Sequence, residues 1–273
     1  MSPVALVTGA SSGFGELTCR RLNALGWEVY GVARRTDRLA ELAALGVHTF
    51  AMDVTDDASM TAGVERILAE QGRIDALVNN AGYGSYGAVE DVPLDEARRQ
   101  YEVNVFGAAR LIQLVTPSMR QQGRGRIINI TSIAAEIYQP LAGWYHSTKA
   151  GLELLSDCLR IELKPFGIDV VMVEPGPVET EWTEIAHASL IERSAGTAYA
   201  EQARSVEKVL NAMVKPPFTV SPDTVAATIV KSLTAPKPKP RYPVGVVAAT
   251  VMNFRRIAPD RLVDAITRLA TSR

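Results

Sequence analysis

Short apolar runs alternate along the chain with longer stretches in which apolar positions recur at helical spacing. Val4-Ala5-Leu6-Val7 is continuous and apolar, the pattern of a strand covered on both faces. Residues 27–32, 47–52, 74–78, 126–130 and 168–173 repeat it. Helical patterning fills residues 38–45, 57–70, 94–120 and 145–165 between them. This alternation predicts an α/β fold, a parallel sheet with helices on both faces. The right-handed crossover rule makes it doubly wound. No internal repeat or low-complexity linker precedes residue 235, so residues 1–273 read as a single domain.

Beyond Thr180 the rhythm changes. Residues 181–215 pattern as helix, with Ile185, Leu190, Ile191, Val206 and Leu210 apolar, until Pro216-Pro217 ends the stretch. Helices that follow a late strand lie near the carboxyl ends of the sheet, where a lid over a substrate would sit. Ser221-Pro222-Asp223 opens another helix, with a capping serine and proline at the first helical position. Pro236-Lys237-Pro238-Lys239-Pro240 reads as a stiff extended spacer. Residues 240–273 then form a C-terminal extension, in which Leu262, Val263, Ile266, Leu269 and Ala270 share one helical face.

Composition narrows the classes of function. A formal net charge of −1 excludes a chain-wide basic field for nucleic acid. Two cysteines and three histidines, without ligand-like spacing, predict neither a metal site nor a disulfide framework. No apolar run reaches the ~18–20 residues of a membrane helix. Met1-Ser2-Pro3 begins no signal peptide, so the expected location is cytoplasmic. The one local bias is at the end, where residues 236–273 carry eight basic and two acidic side chains. A basic, amphipathic C-terminal helix is expected to dock on its own domain or a partner subunit. Weak contact with a membrane surface is its other use.

The chemistry starts at Thr8-Gly9-Ala10-Ser11-Ser12-Gly13-Phe14-Gly15, between the first strand and the first helix. Gly9, Gly13 and Gly15 allow a tight turn and close backbone approach. Ser11, Ser12 and Phe14 complete a helix N-terminus that offers free N–H groups to a pyrophosphate. NAD binders place an acid at the end of the second strand. Here Val32-Ala33-Arg34-Arg35 puts two guanidiniums there, which suit a 2′-phosphate. Arg34 and Arg35 therefore point to NADP(H) rather than NAD(H).

Further residues carry a resemblance. Asp53-Val54, Asn79-Asn80-Ala81-Gly82, Asn104, Ser132, Tyr145 with Lys149, and Pro175-Gly176 through Thr180 follow the glycine loop in order. The chain resembles the compact, single-domain short-chain dehydrogenases/reductases, which have a Rossmann fold. Tyr83 to Val92 and Cys158-Leu159-Arg160-Ile161-Glu162-Leu163 resemble steroid- and retinol-dehydrogenase-like members more loosely. The resemblance implies that Asp53 and Val54 contact the adenine, and that Asn80, Ala81 and Gly82 border the adenosine ribose. It implies that Pro175, Gly176, Val178 and Thr180 frame the nicotinamide. Phe14, where isoleucine is commoner, departs mildly from the pattern. A homodimer or homotetramer is also implied.

Tyr145 and Lys149, four apart, share a helix face. A phenol titrates near 10, and an ammonium ~4 Å away at an effective dielectric of 20 contributes roughly the ~4 kcal/mol that would bring it to 7. Tyr145 is thus the expected general acid–base, with Lys149 also reaching the nicotinamide ribose. Ser132 is the expected donor to the substrate oxygen. Asn104 matches the family position that holds a relay water. Taken singly, Ser132 reads as a cap, Asn104 as a core amide and Tyr145 as an aromatic contact. Ala134, Tyr138, Leu141, Trp144, Pro177, Trp182 and Ile185, with Tyr83 and Tyr86 on the loop after Gly82, are the candidate substrate wall. Their apolar character points to a lipophilic alcohol, ketone or aldehyde of steroid, retinoid or aryl-ketone type. The competing reading is a sensor or scaffold that binds NADP(H) without turnover.

Overall fold

The computed structural model describes residues 2–178 and 180–271; the side chains of Trp182 and Arg256 fall outside the description. Strands β1 (Val4–Thr8), β2 (Glu28–Ala33), β3 (His48–Ala51), β4 (Ala76–Asn79), β5 (Gly125–Ile130), β6 (Ile168–Pro175) and β7 (Arg241–Val244) form one sheet in the order β3-β2-β1-β4-β5-β6-β7. Every neighbouring pair is parallel. The helices are α1 (Gly13–Ala24), α2 (Ala40–Ala44), α3 (Asp57–Gln71), α4 (Leu94–Tyr101), α5 (Gly107–Gln122), α6 (Gly143–Leu163), α7 (Glu181–Ser194), α8 (Ala200–Met213), α9 (Pro222–Thr234), α10 (Val246–Ile257) and α11 (Asp260–Thr271). Strand order reverses between β1 and β4, which opens a crevice at their carboxyl ends.

The alternation of strand side chains builds a core on each face. Ala5 and Val7 pack with Cys19 and Leu22 of α1 and with Val225, Ile229 and Leu233 of α9. Val4 and Leu6 pack with Met60, Val64 and Ile67 of α3 and with Leu111, Ile112 and Val115 of α5. Both faces are covered, which is why the strands read as continuous apolar runs.

Three elements differ from the sequence expectation. The helix expected over residues 94–120 is α4 and α5 joined by one wide π turn, Glu102–Phe106. Residues 181–213 are two helices, broken where Gly196 takes φ 78°. The proline-rich spacer leads straight into a seventh strand. Pro240 accepts from the Met172 amide at 2.9 Å, and Arg241–Val244 pairs with β6 at the sheet edge. A four-residue strand containing Pro243 gives almost no sequence signal, and only an edge tolerates its missing N–H. Helix α9 begins as expected, with Ser221 Oγ accepting from the Thr224 amide at 3.2 Å.

The C-terminal extension docks on its own domain by one side. Helix α11 packs against α8, with Val263 buried. Leu262, Ile266 and Leu269 form an outward stripe, 46%, 49% and 68% exposed. Among the described residues, no helix is long and apolar enough to cross a membrane.

Candidate active site

A cleft of about 760 Å³ runs along the carboxyl ends of the strands. At one end the glycine loop is tied to β4. The Thr8 hydroxyl donates to the Val78 carbonyl at 3.3 Å and accepts from the Asn80 and Ala81 amides, each at 3.0 Å. Asn80 Nδ2 donates back to the Thr8 carbonyl at 2.9 Å. Gly9 and Gly13 hold φ of +66° and +57°, where a side chain is strained. A Cβ on Gly15 would lie 2.4 Å from the Gly9 carbonyl oxygen, so Gly15 sits beneath the loop rather than on the cleft wall. Ser12 caps α1 without a side-chain bond, which leaves first-turn amides for an anion. Ser11, Ser12, Gly13 and Phe14 line the cleft beside them. This cradle fits the pyrophosphate of a dinucleotide.

Arg34, Arg35, Asp53 and Val54 line the cleft just beyond the ends of β2 and β3, followed by Asn80, Ala81 and Gly82. Asp53 Oδ1 is held by the Thr55 amide and hydroxyl at 2.9 and 2.8 Å. Pro175, Gly176, Val178 and Thr180 line the opposite wall. There the Val178 carbonyl accepts from the Thr183 hydroxyl at 2.7 Å.

Ser132 follows β5 and starts a short turn, its Oγ accepting from the Ala134 amide at 3.1 Å. Its hydroxyl is also hydrogen-bonded to the Tyr145 phenol. Tyr145 is buried on α6, its ring 5.7 Å from that of Tyr86. One turn on, Lys149 Nζ donates to the Ile130 carbonyl at 2.9 Å and stands 5.9 Å from the Tyr145 ring centre. Contrary to expectation, Lys149 does not draw the phenol toward 7. Burial raises the Tyr145 phenol well above its ordinary value, and the Ser132 bond opposes this only in part. The same burial lowers Lys149 to about 8. At pH 7 the protein alone therefore presents a protonated phenol beside an ammonium.

Asn104 lies in the π turn and is not on the cleft wall. Its Oδ1 accepts from the Tyr83 amide at 3.0 Å, and its Nδ2 donates to the Tyr83 carbonyl and Thr148 hydroxyl at 2.9 and 3.1 Å. It clamps the loop after β4 to the helix that carries Tyr145. Gly82 is the neighbour it shares with Lys149: a Cβ there would meet Asn104 Oδ1 at 3.1 Å and Lys149 Nζ at 3.7 Å.

The remaining wall is apolar, and only part of it was foreseen. Of the candidates, Ala134, Pro177, Tyr83, Tyr86 and Ile185 line it, together with Ile137, Leu210 and Met213. Tyr138, Leu141 and Trp144 do not. Tyr138 turns to the C-terminal extension, its hydroxyl donating to Asp264 Oδ1 at 2.9 Å beneath the Arg255 guanidinium. Leu141, held at φ 65°, is buried with Tyr86, Ala142 and Tyr145. Trp144 Nε1 donates to the Val89 carbonyl at 3.3 Å. Trp182 is the second residue of α7, and its side chain lies outside the described residues.

Comparison with known proteins agrees with this geometry. Residues 3–190 match the sequence model of the short chain dehydrogenase family. The chain belongs to that family. As an oxidoreductase of the short-chain dehydrogenase family, it is 35% identical over 275 residues to the NADPH-dependent 3-dehydrocapnine reductase of Ornithobacterium rhinotracheale, covering 96% of this chain and 95% of that one. It is 40% identical over 182 residues, 66% of each chain, to the 3-ketodihydrosphingosine reductase of Bacteroides thetaiotaomicron. A short-chain dehydrogenase structure from Streptomyces avermitilis superposes with a TM-score of 0.82 at 34% identity, covering 98% of this chain and 95% of that one.

In this short-chain dehydrogenase several residues at the cleft escaped the sequence reading. Arg38, one turn after Arg34-Arg35, joins the basic group by pairing with Glu181. His187 of α7 lines the cleft with Nδ1 3.0 Å from Asn211 Oδ1 of α8, and burial lowers its pKa. Only the basic run around Arg38 carried a signal in the chain. Away from the cleft, the carboxylates of Glu136, Glu153 and Glu174 converge. The Arg241 guanidinium is their cation, 3.0 Å from Glu153 and 3.2 Å from Glu174.

Proposed function

We propose that this short-chain dehydrogenase is an NADP(H)-dependent reductase of a ketone borne on a lipophilic chain. The observation that carries the reading is the hydrogen-bonded Ser132–Tyr145 pair beside Lys149, in a cleft that joins the glycine loop to an apolar wall. Arg34 and Arg35, with no acid at the end of β2, support NADP(H). So does the likeness to an NADPH-dependent reductase. The likeness to a 3-ketodihydrosphingosine reductase favours a ketone on an alkyl chain over a steroid, retinoid or aryl ketone.

When bound, the dinucleotide supplies the hydride to the carbonyl carbon. Tyr145 gives its phenolic proton to the carbonyl oxygen. Ser132 donates a hydrogen bond to the same oxygen, where charge develops. The Lys149 ammonium stands 5.9 Å from the Tyr145 ring centre and stabilises the phenolate that forms; unit charges at about that separation attract by about 3 kcal/mol at an effective dielectric of 20. Asn104 acts as a positioning residue through Tyr83 and Thr148. A sensor that binds without turnover has no use for a buried acid hydrogen-bonded to a serine, so the pair favours catalysis. Helices α7 and α8 contribute Ile185, Leu210 and Met213 and serve as the lid. A homodimer or homotetramer would cover Leu154, Leu155 and Ile161, exposed apolar positions of α6.

The reading is tested by following NADPH and NADH oxidation with 3-ketodihydrosphingosine, a ketosteroid and an aryl ketone. The expected result is turnover of the alkyl ketone, with kcat/KM at least tenfold higher for NADPH. No oxidation with any of the three would remove the reductase reading, and a preference for NADH would overturn its cofactor half.

The stripe of Leu262, Ile266 and Leu269 on α11, with Arg261 and Arg268 exposed beside it, is where this protein would meet an anionic bilayer that holds such a substrate. Flotation with vesicles containing phosphatidylglycerol should recover wild type and lose Ile266→Asp. Equal recovery of both would discard membrane contact.

A further inference from the structure

We propose that Glu181 is a cofactor-sensing latch: its carboxylate occupies the guanidiniums meant for a 2′-phosphate, and only a dinucleotide bearing that phosphate displaces it. The inference rests on the NADP(H) reading above and goes beyond it, because it ties the choice of cofactor to the state of the α7–α8 lid.

The geometry is a bridge across the mouth of the cleft. Glu181 is the first residue of α7, directly after Thr180. Both its carboxylate oxygens lie 2.8 Å from Arg38 Nη1, and Oε2 lies 3.8 Å from Arg35 Nη2. Arg35 and Arg38 belong to the segment after β2, on the facing wall. Arg35 and Glu181 both line the main cleft, and Arg38 and Glu181 line a smaller pocket beside Ser11 and Ser12. The lid therefore grips the adenosine end of the site through one carboxylate.

The grip is weak enough to exchange. The side chains of Glu181, Arg35 and Arg38 are 51%, 51% and 40% exposed, and ion pairs in water at this exposure contribute little. A 2′-phosphate brings nearly two charges and three acceptor oxygens to the same guanidiniums, where a carboxylate brings one charge. The two anions repel each other on shared arginines, so binding one releases the other. NAD(H) has no anion at that position and leaves the bridge intact. Release reaches the nicotinamide wall, because the first turn of α7 is bonded to it: the Thr183 amide donates to the Thr180 carbonyl at 2.9 Å, and its hydroxyl to that of Val178.

The test titrates full-length wild type, Glu181→Gln, Arg38→Ala and the double variant with NADPH and with NADH. Hydrogen exchange is followed at the Thr183 and Glu184 amides. Glu181→Gln is expected to bind NADPH about two- to fivefold more tightly, the range of an exposed ion pair, and to bind NADH unchanged. Arg38→Ala should weaken NADPH and erase the gain in the double variant. In wild type, NADPH should speed exchange at the two amides relative to NADH. If wild type prefers NADPH but Glu181→Gln gains nothing, the latch is overturned while the cofactor reading stands. If Glu181→Gln weakens NADH, the carboxylate binds ribose hydroxyls and the latch is again overturned. If wild type binds both dinucleotides equally and Arg38→Ala changes neither, the cofactor reading fails and takes the latch with it.

Discussion

Replacing Tyr145 by phenylalanine is expected to lower kcat for ketone reduction by about 10²- to 10⁴-fold, the range of a positioned general acid. NADPH affinity should stay within about twofold. The variant keeps the ring, its burial and its contact with Tyr86, and removes only the proton donor. The change should therefore fall on kcat and spare the Kd for cofactor measured by titration. A kcat within tenfold of wild type would mean that the proton comes from elsewhere. The pH profile is an independent check on the same group. Burial holds Tyr145 protonated through the neutral range and lowers Lys149 to about 8. The ammonium that stabilises the forming phenolate is present below that value and lost above it. Reductive kcat should fall as pH rises past about 8. A profile flat to pH 10 would remove Lys149 from this role.

Arg241→Met is the second large effect, and it falls on stability. Arg241 lies on β7 and reaches across β6 to α6, at 3.0 Å from Glu153, 2.5 Å from Asp157 and 3.2 Å from Glu174. The Glu174 side chain is wholly buried and that of Glu153 nearly so. Methionine keeps the stem of the side chain and removes the charge, leaving buried carboxylates without their cation. Breaking a buried pair from one side costs about 3–5 kcal/mol. At roughly 2–4 °C per kcal/mol for a chain of this size, Tm should fall by about 10 °C at pH 8. The loss should shrink at pH 6. Burial and the neighbouring Glu153 carboxylate raise Glu174 above the usual carboxylate range. A carboxyl raised on folding favours the native state where it is protonated, and that contribution is lost as pH climbs from the unfolded toward the folded value. Lower pH thus neutralises what Arg241 no longer balances. A Tm within 2 °C of wild type at both pH values would show that the cluster bears no net load.

Much of the site was legible in the chain because its parts are local. Gly9, Gly13 and Gly15 announce a loop that only small residues can make, and a Cβ at Gly15 has no room. The four-residue spacing of Tyr145 and Lys149 puts both on one turn of a helix. Ser132 stands two residues after β5, where a strand end meets the crevice. The substrate wall was the weak part. Tyr138, Leu141 and Trp144 looked eligible as apolar neighbours of Tyr145, yet each answers to a partner elsewhere: Asp264, the Tyr86 cluster and the Val89 carbonyl. Apolar character says that a side chain leaves water; it does not say which of two cavities or cores receives it.

The sequence by itself determined the alternation of strand and helix, the glycine-rich turn between the first strand and the first helix, and the spacing that puts Tyr145 and Lys149 on one helix face. These follow from backbone conformation and side-chain periodicity, which are properties of consecutive residues. Tertiary structure alone decided the direction of the Tyr145 and Lys149 shifts, the pairing of Arg38 with Glu181 across 143 positions, and the edge strand that brings Arg241 to Glu174. Desolvation and long-range pairing depend on what packs over a group. That is fixed only when distant segments meet.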